Sequence, residues 1–245
     1  MPTAPSKAVI AELTSTGALR AGINMSNFLL VTGKTPSGDP TGVSPDMAAE
    51  IARRLGVPLK LVPFKSPGEL ADAAETGAWD IANIGAEPER AHKIAFSPAY
   101  VEIQATYLVP AGSKLQSIAD VDAKGHRIAV MGRSAYGLWL DRHVKHAELV
   151  RTDSIDSSYE LFAQGGLDAL AGLKPRLLAD VTKMAGSRIL DGQFTAVQQA
   201  VGTSRKNTAG AAFLHAFVEE VKASGFVASL IEKHKVVGLS VAPKG

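Results

Sequence analysis

The chain has 245 residues, which suits either one large domain or two domains of about 100–120 residues each. Its net charge is only +2 and aromatic residues make up 6%, so nucleic-acid binding receives little support. The absence of cysteine excludes disulfide bonds and thiol chemistry but leaves the redox compartment undecided.

The sequence also argues against membrane insertion and metal binding. No apolar run approaches the roughly 20 residues that a membrane helix requires. The first residues, MPTAPSKAVIAELTSTG, contain no apolar signal core, so either a targeting segment has been removed or the protein stays in the cytoplasm. His143 and His146 lack the cysteine or acidic neighbour that would complete a zinc site, so we expect surface histidines and no cofactor.

The first part of the chain alternates strands and helices. Strands are predicted at Ala18–Asn24, Val57–Phe64 and Trp79–Ile84, and helices at residues 45–55 and Pro67–Thr76. Ser44 is expected to cap the first of these helices, with Pro45 at its first position. Such alternation is typical of parallel βαβ units, whose ligands lie at the carboxyl ends of the strands. Those ends are Asn24, Phe64 and the turn at Gly85.

The segment Gly77–Tyr100, GAWDIANIGAEPERAHKIAFSPAY, combines an apolar strand, a Gly/Pro turn and Arg90 in the first turn of a helix. A strand fixes position, helix N–H groups face the ligand, and a guanidinium binds a carboxylate in bidentate fashion. The segment therefore fits an anion-binding site. On this segment alone, however, an ordinary strand–turn–helix with a solvated arginine is favoured, because short patterns match by chance.

The same alternation continues after Ala111. Strands are predicted at Arg127–Met131, Glu148–Arg151, Leu167–Ala171, Arg188–Leu190 and Phe194–Val201, and helices at Ser117–Asp122, residues 135–146, Ser157–Gln164, Pro175–Met184, Thr208–Ser224 and Phe226–Lys235. Ser134 is predicted to cap the second of these helices. A second lobe of similar design is therefore expected, although the two halves show no residue-level repeat.

The order of these motifs resembles bacterial solute-binding protein family 3, the polar amino-acid uptake type of type II periplasmic binding protein. The family patterns GxLRVG, GxxxDLAxxIAxRLG and GxxDxxxxG…PER…IxFSxPY are similar to Gly17–Gly22, Gly42–Gly56 and Gly77–Tyr100, and its second-lobe motifs are similar to Ile118–Gly125, Ile128–Ser134 and Leu161–Ala169. The likeness spans Gly17 to about Lys235, and the chain is identified as an atypical member.

The resemblance implies an α/β, two-lobed fold in which each lobe is a mostly parallel sheet flanked by helices. Lobe 1 would comprise residues 1–101 and 200–245, and lobe 2 residues 102–199, with crossings near Val101–Ala105 and Ala196–Ala200. Ligand would be trapped by hinge closure. A monomer, ABC transporter membrane subunits as partners and a periplasmic location are also implied, although a cytoplasmic location stays open.

Several family positions carry over residue by residue. Arg90 matches the carboxylate-binding arginine, and Ser134 matches the second-lobe hydroxyl that donates to the same carboxylate. Asn24 and Phe28 match positions that line the pocket mouth. Asp46 matches an acidic residue of the family, but an acid in a first helical turn stabilises the helix dipole without touching ligand.

Two departures from the family concern the ligand's α-amino group. The turn Gly85, Ala86, Glu87, Pro88 is about two residues shorter than the family's and carries no hydroxyl. The second-lobe aspartate that pairs with the ammonium is replaced by Leu173. An ammonium buried without a carboxylate partner would be costly.

Two explanations remain open. In the first, the Glu87 carboxylate binds the ligand's ammonium group in place of the missing aspartate. In the second, the ligand is a carboxylate without an α-amine and with a second anionic group near Lys174 or Arg133. We favour the second, because Leu173 gives an amine no partner. For Lys174 and Arg133, each taken alone, a solvated loop charge is the favoured interpretation. Phe64 would replace a missing pocket aromatic. The candidate ligand-binding residues are Asn24, Phe28, Phe64, Gly85, Ala86, Glu87, Arg90, Arg133, Ser134, Ala135, Leu173 and Lys174.

The sequence thus predicts a non-enzymatic binding protein that captures a small carboxylate, an amino acid or an organic acid, for an ABC transporter or a sensor. A lyase resembling cyclohexadienyl dehydratase is the alternative on the same scaffold, with Glu87 as the general acid. A cytoplasmic ligand sensor is the third possibility.

Overall fold

A computed structural model describes residues 5–245; residues 1–4, which the predicted first lobe includes, lie outside the described residues. The strands are β1 (Leu19–Asn24), β2 (Gly33–Lys34), β3 (Pro40–Thr41), β4 (Leu59–Phe64), β5 (Ile81–Gly85), β6 (Ile94–Val109), β7 (Arg127–Met131), β8 (Glu148–Thr152), β9 (Ala169–Leu173), β10 (Arg188–Ile189), β11 (Thr195–Ser204) and β12 (Ser240–Val241). The helices are α1 (Lys7–Leu13), α2 (Val43–Leu55), α3 (Pro67–Asp72), α4 (Pro88–Ala91), α5 (Ala135–His143), α6 (Ile155–Ala163), α7 (Lys174–Val181), α8 (Thr208–Ala223) and α9 (Phe226–Lys233). Within residues 5–245, no helix is both long and apolar enough to cross a membrane.

The chain divides into two compact units. Unit 1 comprises the described residues up to Glu102 and those from Gln198 onward, and unit 2 comprises Ile103–Val197. Strands β6 and β11 each run from one unit into the other. The α/β fold predicted from the sequence is confirmed.

Unit 1 is built on a mostly parallel sheet. Strand β1 pairs in parallel with β4 on one side and with β5 on the other, whereas β11 runs antiparallel to β5. Helices α1, α2, α8 and α9 bury their apolar faces on one side of this sheet, and α3 packs with Trp79 on the other. All five residues of β5 are buried, as a central strand covered on both faces requires.

Helix α2 does not begin where the sequence pattern places it. Ser44 was predicted as the N-cap, but the cap is Gly42, whose φ of 146° brings it close to the preceding loop. A Cβ at Gly42 would lie 2.3 Å from the carbonyl oxygen of Leu30, so only glycine fits there. Ser44 is instead buried inside the helix, and its hydroxyl lies 3.0 Å from that of Tyr100.

Helix α9 closes unit 1 against the first turn of α2. The carboxylate of Asp46 accepts hydrogen bonds of 2.7 Å from Lys233 Nζ and from His234 Nε2. Burial raises the pKa of Asp46, but these bonds outweigh that effect and the pKa is lowered overall. Asp46 therefore ties two helices together, in addition to lying in a first helical turn.

Unit 2 repeats the design around a smaller sheet. Strand β7 pairs in parallel with β8 and β9, and β6 runs antiparallel to β9. Phe162, Leu170 and Leu177 belong to its core, between the sheet and helices α6 and α7. Since β7 and β9 are neighbours with the same direction, their carboxyl ends lie side by side at one edge.

Candidate ligand-binding site

The carboxyl edge of unit 1 brings together the first group of predicted site residues. Asn24 and Phe64 end neighbouring strands and lie directly opposite each other, and the Met25 amide donates to the Phe64 carbonyl. The Asn24 side-chain oxygen accepts hydrogen bonds from the amide and hydroxyl of Ser26, at 3.1 and 2.8 Å. Phe28 follows in the same loop and leaves 38% of its surface exposed, unusual for a large apolar side chain.

Arg90 lies in the single turn of α4 and is 5% exposed. Its Nη1 donates a 2.7 Å hydrogen bond to the carbonyl oxygen of Gly85, the last residue of β5. The short turn therefore places the guanidinium at the carboxyl end of the central strand. A buried cation at that position is the chemical feature expected of an anion-binding site.

The turn between β5 and α4 is itself held firmly. The Ala86 amide donates to the Gln198 carbonyl at 2.7 Å, so β11 supports the turn from one side. Glu87 is the N-cap residue of α4, and its carbonyl accepts from the amides of Arg90 and Ala91. Glu87 is 9% exposed, so an acid and a guanidinium are buried three residues apart.

Asn83 is a polar residue inside the same central strand. It pairs with Ile23 on β1 and with Val201 on β11 and is 2% exposed. Among the described residues, neither its amide nitrogen nor its amide oxygen has a hydrogen-bond partner. Burial of such a group costs free energy, so Asn83 lowers the stability of the strand that carries the site.

Asp80, by contrast, lies at the amino end of β5 and has a structural role. Its carboxylate pairs with the Arg20 guanidinium at 2.6 Å and accepts from the Arg20 amide at 2.8 Å. The hydrogen bonds that the Arg20 guanidinium donates to Asp80 also raise the pKa of Arg20. This pair joins β1 to β5 at the edge opposite to Arg90.

The corresponding edge of unit 2 holds Arg133, Ser134 and Ala135, between β7 and α5. Arg133 is exposed, with a positive φ of 58°, and Ser134 and Ala135 are buried. Ser134 caps α5 as predicted: its hydroxyl oxygen accepts from the Gly137 amide at 3.0 Å. The hydroxyl proton is donated to the Met131 carbonyl at 2.7 Å, so it must rotate before it can donate to a ligand.

Gly137, in the first turn of α5, is a residue at this edge whose importance the sequence analysis missed. A Cβ at this position would lie 2.6 Å from the Met131 carbonyl oxygen and 2.9 Å from Ser134 Oγ. Real Cβ atoms do not approach backbone atoms that closely. With any residue other than glycine at this position, α5 could not begin so close to β7. A glycine three residues after the predicted cap was the available signal.

Leu173 and Lys174 occupy the neighbouring strand end. Leu173 ends β9, is 7% exposed and is the N-cap of α7, although its apolar side chain provides no capping hydrogen bond. The first turn of α7 contains Lys174 and Arg176 and no acidic residue. Arg176 bonds to Asp156 and Asp180, and Lys174 is half-buried.

The predicted site residues thus fall into two groups, one in each unit. The structure collects Asn24, Phe28, Phe64, Gly85, Ala86, Glu87 and Arg90 at the carboxyl edge of unit 1, and Arg133, Ser134, Ala135, Leu173 and Lys174 at that of unit 2. Across residues 5–245, no three His, Cys, Asp or Glu side chains are arranged to hold a metal ion.

Comparison of the sequence with known protein families identifies the family of this chain. The model of the bacterial extracellular solute-binding proteins, family 3, matches residues 19–236. The chain belongs to this family. The resemblance inferred from the motif order is therefore confirmed.

Individual relatives are distant but cover most of the chain. The L-cystine-binding protein TcyJ of Escherichia coli K12 is 25% identical over 198 residues, which are 80% of this chain and 74% of TcyJ. A mutant of ArgBP from T. maritima is 26% identical, covers 93% of this chain and 99% of its own, and superposes with a TM-score of 0.73. The ancestral amino acid-binding protein AncCDT-1, a precursor of cyclohexadienyl dehydratase, shares the fold with a TM-score of 0.73 at 23% identity, over 91% of this chain and 98% of its own.

Proposed function

We propose that the protein is a periplasmic solute-binding protein that captures a small carboxylate by hinge closure and delivers it to an ABC transporter. The observation that carries the proposal is the buried Arg90, which its bond to the Gly85 carbonyl holds at the carboxyl end of β5. Membership of a solute-binding family supports capture of a solute over catalysis.

Arg90 is suited to carboxylates for geometric and electrostatic reasons. A guanidinium presents a planar fork of donors that matches two carboxylate oxygens. At 5% exposure it is withdrawn from water, which strengthens its attraction to an anion. A lysine would keep the charge but lose the two-pronged geometry.

Unit 2 would complete the carboxylate site from its own edge. Rotation of the Ser134 hydroxyl away from Met131 would free one donor, and the first amides of α5 would face the anion. Binding by groups from both units would favour the closed state, because ligand contacts in that state alone shift the equilibrium toward it.

The ligand's second group distinguishes two classes of carboxylate. The name of TcyJ describes a protein that binds L-cystine, and a putative binding component from Wolinella succinogenes was crystallised with lysine. Both ligands carry an α-ammonium. Among the candidate site residues only Glu87 has a carboxylate to meet it, because Leu173 is apolar. We favour a carboxylate without an α-amine, with Lys174 or Arg133 near a second anionic group.

Titration calorimetry with matched ligand pairs tests both points. Each L-amino acid is compared with the acid that lacks its α-amine, for example glutamate with glutarate and lysine with 6-aminohexanoate. We expect at least one small carboxylate to bind, and the acid without the α-amine to bind more tightly. If the amino acid binds more tightly, and Glu87→Gln abolishes this preference, the ligand would be assigned to the carboxylates that carry an α-ammonium.

Arg90→Lys is the decisive variant. Loss of the bidentate geometry should weaken binding about 100-fold, since a charged, buried hydrogen-bonded pair contributes several kcal/mol. Arg53→Lys is the matched control, because the Arg53 side chain is 70% exposed on α2. Equal affinity of Arg90→Lys and wild type would refute the proposal, as would the absence of binding across the panel.

A lyase on the same scaffold is the second candidate, because Glu87 is a buried acid in the same turn as Arg90. Turnover of prephenate or arogenate would support it, and full activity of Glu87→Gln would remove Glu87 as the general acid.

A further inference from the structure

The two strands that leave unit 1 are joined by a side-chain hydrogen bond at the point where they leave it. Glu102 is the last unit 1 residue on β6, and Gln198 is the first unit 1 residue on the return strand β11. The amide nitrogen of Gln198, Nε2, donates a 2.9 Å hydrogen bond to the carboxylate oxygen Oε1 of Glu102. Both side chains are half-buried, so solvent competes with this bond less than at an exposed position.

The backbone on both sides of this bond is fixed within unit 1. Strand β12 pairs with β6 so that Ser240 lies opposite Glu102. On the other strand, the carbonyl of Gln198 accepts the hydrogen bond from Ala86, in the turn that carries Arg90. Strands β6 and β11 are also neighbours in the sheet, so the bond between Glu102 and Gln198 adds a side-chain link between two paired strands that each make further contacts in unit 1.

The β12 segment is itself held to the rest of unit 1. The Ala242 amide donates to the Tyr100 carbonyl at 3.1 Å, and Lys222 Nζ on α8 donates to the Pro243 carbonyl at 2.7 Å. These contacts extend the support of β6 back from Glu102. Bending of β6 is then expected to begin beyond Glu102 and not within unit 1.

We propose that Glu102 and Gln198 are positioning residues that hold β6 and β11 in register where they leave unit 1 and so limit the hinge motion. This inference rests on the hinge closure of the proposed function. The bond is charge-assisted, which makes it stronger than a hydrogen bond between neutral groups. Its loss would leave the pairing of β6 with β11 in the sheet as the link between the two strands at their exit from unit 1, so the spread of unit-to-unit distances would increase.

The test uses the ligand-free protein, so it does not depend on which solute binds. Because the chain has no cysteine, Lys60→Cys in unit 1 and Glu160→Cys in unit 2, both exposed, provide a single pair of spin labels. Double electron–electron resonance then gives the distance distribution between the units. Glu102→Met and Gln198→Met should each broaden it about twofold and speed amide exchange at residues 103–105 about tenfold.

The exchanged pair, Glu102→Gln with Gln198→Glu, is the matched control. It restores one donor and one charged acceptor, so both readouts should return to wild-type values. If the methionine variants do not fold, Glu102→Gln gives the same test with a smaller effect, because an amide oxygen is a weaker acceptor. An unchanged distribution in the variants, or an exchanged pair as broad as the single variants, would overturn the proposal. A protein that binds no carboxylate can still show the broadening, so this result and the failure of the proposed function are distinguishable.

Discussion

The two groups of candidate site residues, at the carboxyl edge of unit 1 and at that of unit 2 (called the corners below), differ in whether their buried polar groups are charged. In unit 1, charged side chains are buried: Arg90 and Glu87 lie at 5% and 9% exposure. In unit 2, the buried groups are uncharged: a serine hydroxyl, helix amides and Leu173, while Arg133 remains exposed. On the proposed function, the charged groups of unit 1 would attract an anion, whereas the uncharged groups of unit 2 would give an ammonium no partner.

The largest effect on stability is expected at the unit 2 corner, from Gly137→Ala. The new methyl group would collide with the Met131 carbonyl oxygen at 2.6 Å, so β7 and α5 must separate. We expect a loss of about 2–3 kcal/mol of unfolding free energy, measured by urea titration. Gly132→Ala is the matched control, since its Cβ would meet the Thr152 carbonyl oxygen at an ordinary 3.5 Å. Equal losses in both variants would contradict this account.

In unit 1, Asn83→Leu should increase stability. Within the described residues the Asn83 amide lacks a hydrogen-bond partner, and an apolar side chain of similar size removes its desolvation cost. The expected gain is about 1–2 kcal/mol, measured by thermal and urea unfolding. Asn27→Leu should have the opposite sign, because the Asn27 side-chain oxygen accepts a bond from the Leu29 amide in a buried position. A destabilised Asn83→Leu protein would show that the amide has a partner.

Ser134→Ala separates the capping role from the binding role. Loss of the bond to the Gly137 amide should cost about 1 kcal/mol of stability. Ser154→Ala should cost a similar amount, since Ser154 caps α6 through the Ser157 amide in the same way. Calorimetry should show weaker ligand binding only for Ser134→Ala. Unchanged affinity in that variant would remove the hydroxyl from the binding site.

The last effect depends on pH and concerns acid stability in unit 1, outside the candidate site. The hydrogen bond from Arg53, together with that from Arg54, lowers the pKa of Glu50 to about 2 against the effect of burial. Because the folded-state pKa is lowered, the stabilisation is complete above the unfolded pKa near 4.5 and is lost as the pH falls toward 2. Glu50→Gln should therefore be less stable than wild type at pH 6, and the difference should shrink between pH 4.5 and 2. A constant difference across that range would contradict the assignment.

Local patterns predicted most of the elements that position the site. The alternation of strands and helices, the turn at Gly85 and the cap at Ser134 depend on nearby residues, and the structure has them close to the predicted positions. Arg90 was identified as a candidate site residue from the segment Gly77–Tyr100. The burial of its side chain is consistent with a binding role but was not readable from the sequence alone.

What the sequence did not predict depends on distant contacts. Strand β6 was missed, because Ile94–Val109 contains Pro98 and polar residues and lacks a regular alternation. Its partners β9, β10, β11 and β12 all lie in later parts of the chain. The N-cap is Gly42 and not Ser44, because the backbone of Gly42 lies close to the carbonyl group of Leu30. This contact with another loop cannot be predicted from the residues around the cap. Helix α1 is only seven residues long and was also missed.

Leu173 has a consequence for how such a protein can diverge. It is at once the last residue of a buried strand and the uncapped N-cap of α7. Aspartate is among the residues that cap helices best, so Leu173→Asp would add a carboxylate for an ammonium and a cap for the helix in one substitution. On the proposed function, a single substitution would therefore change which class of carboxylate the protein binds.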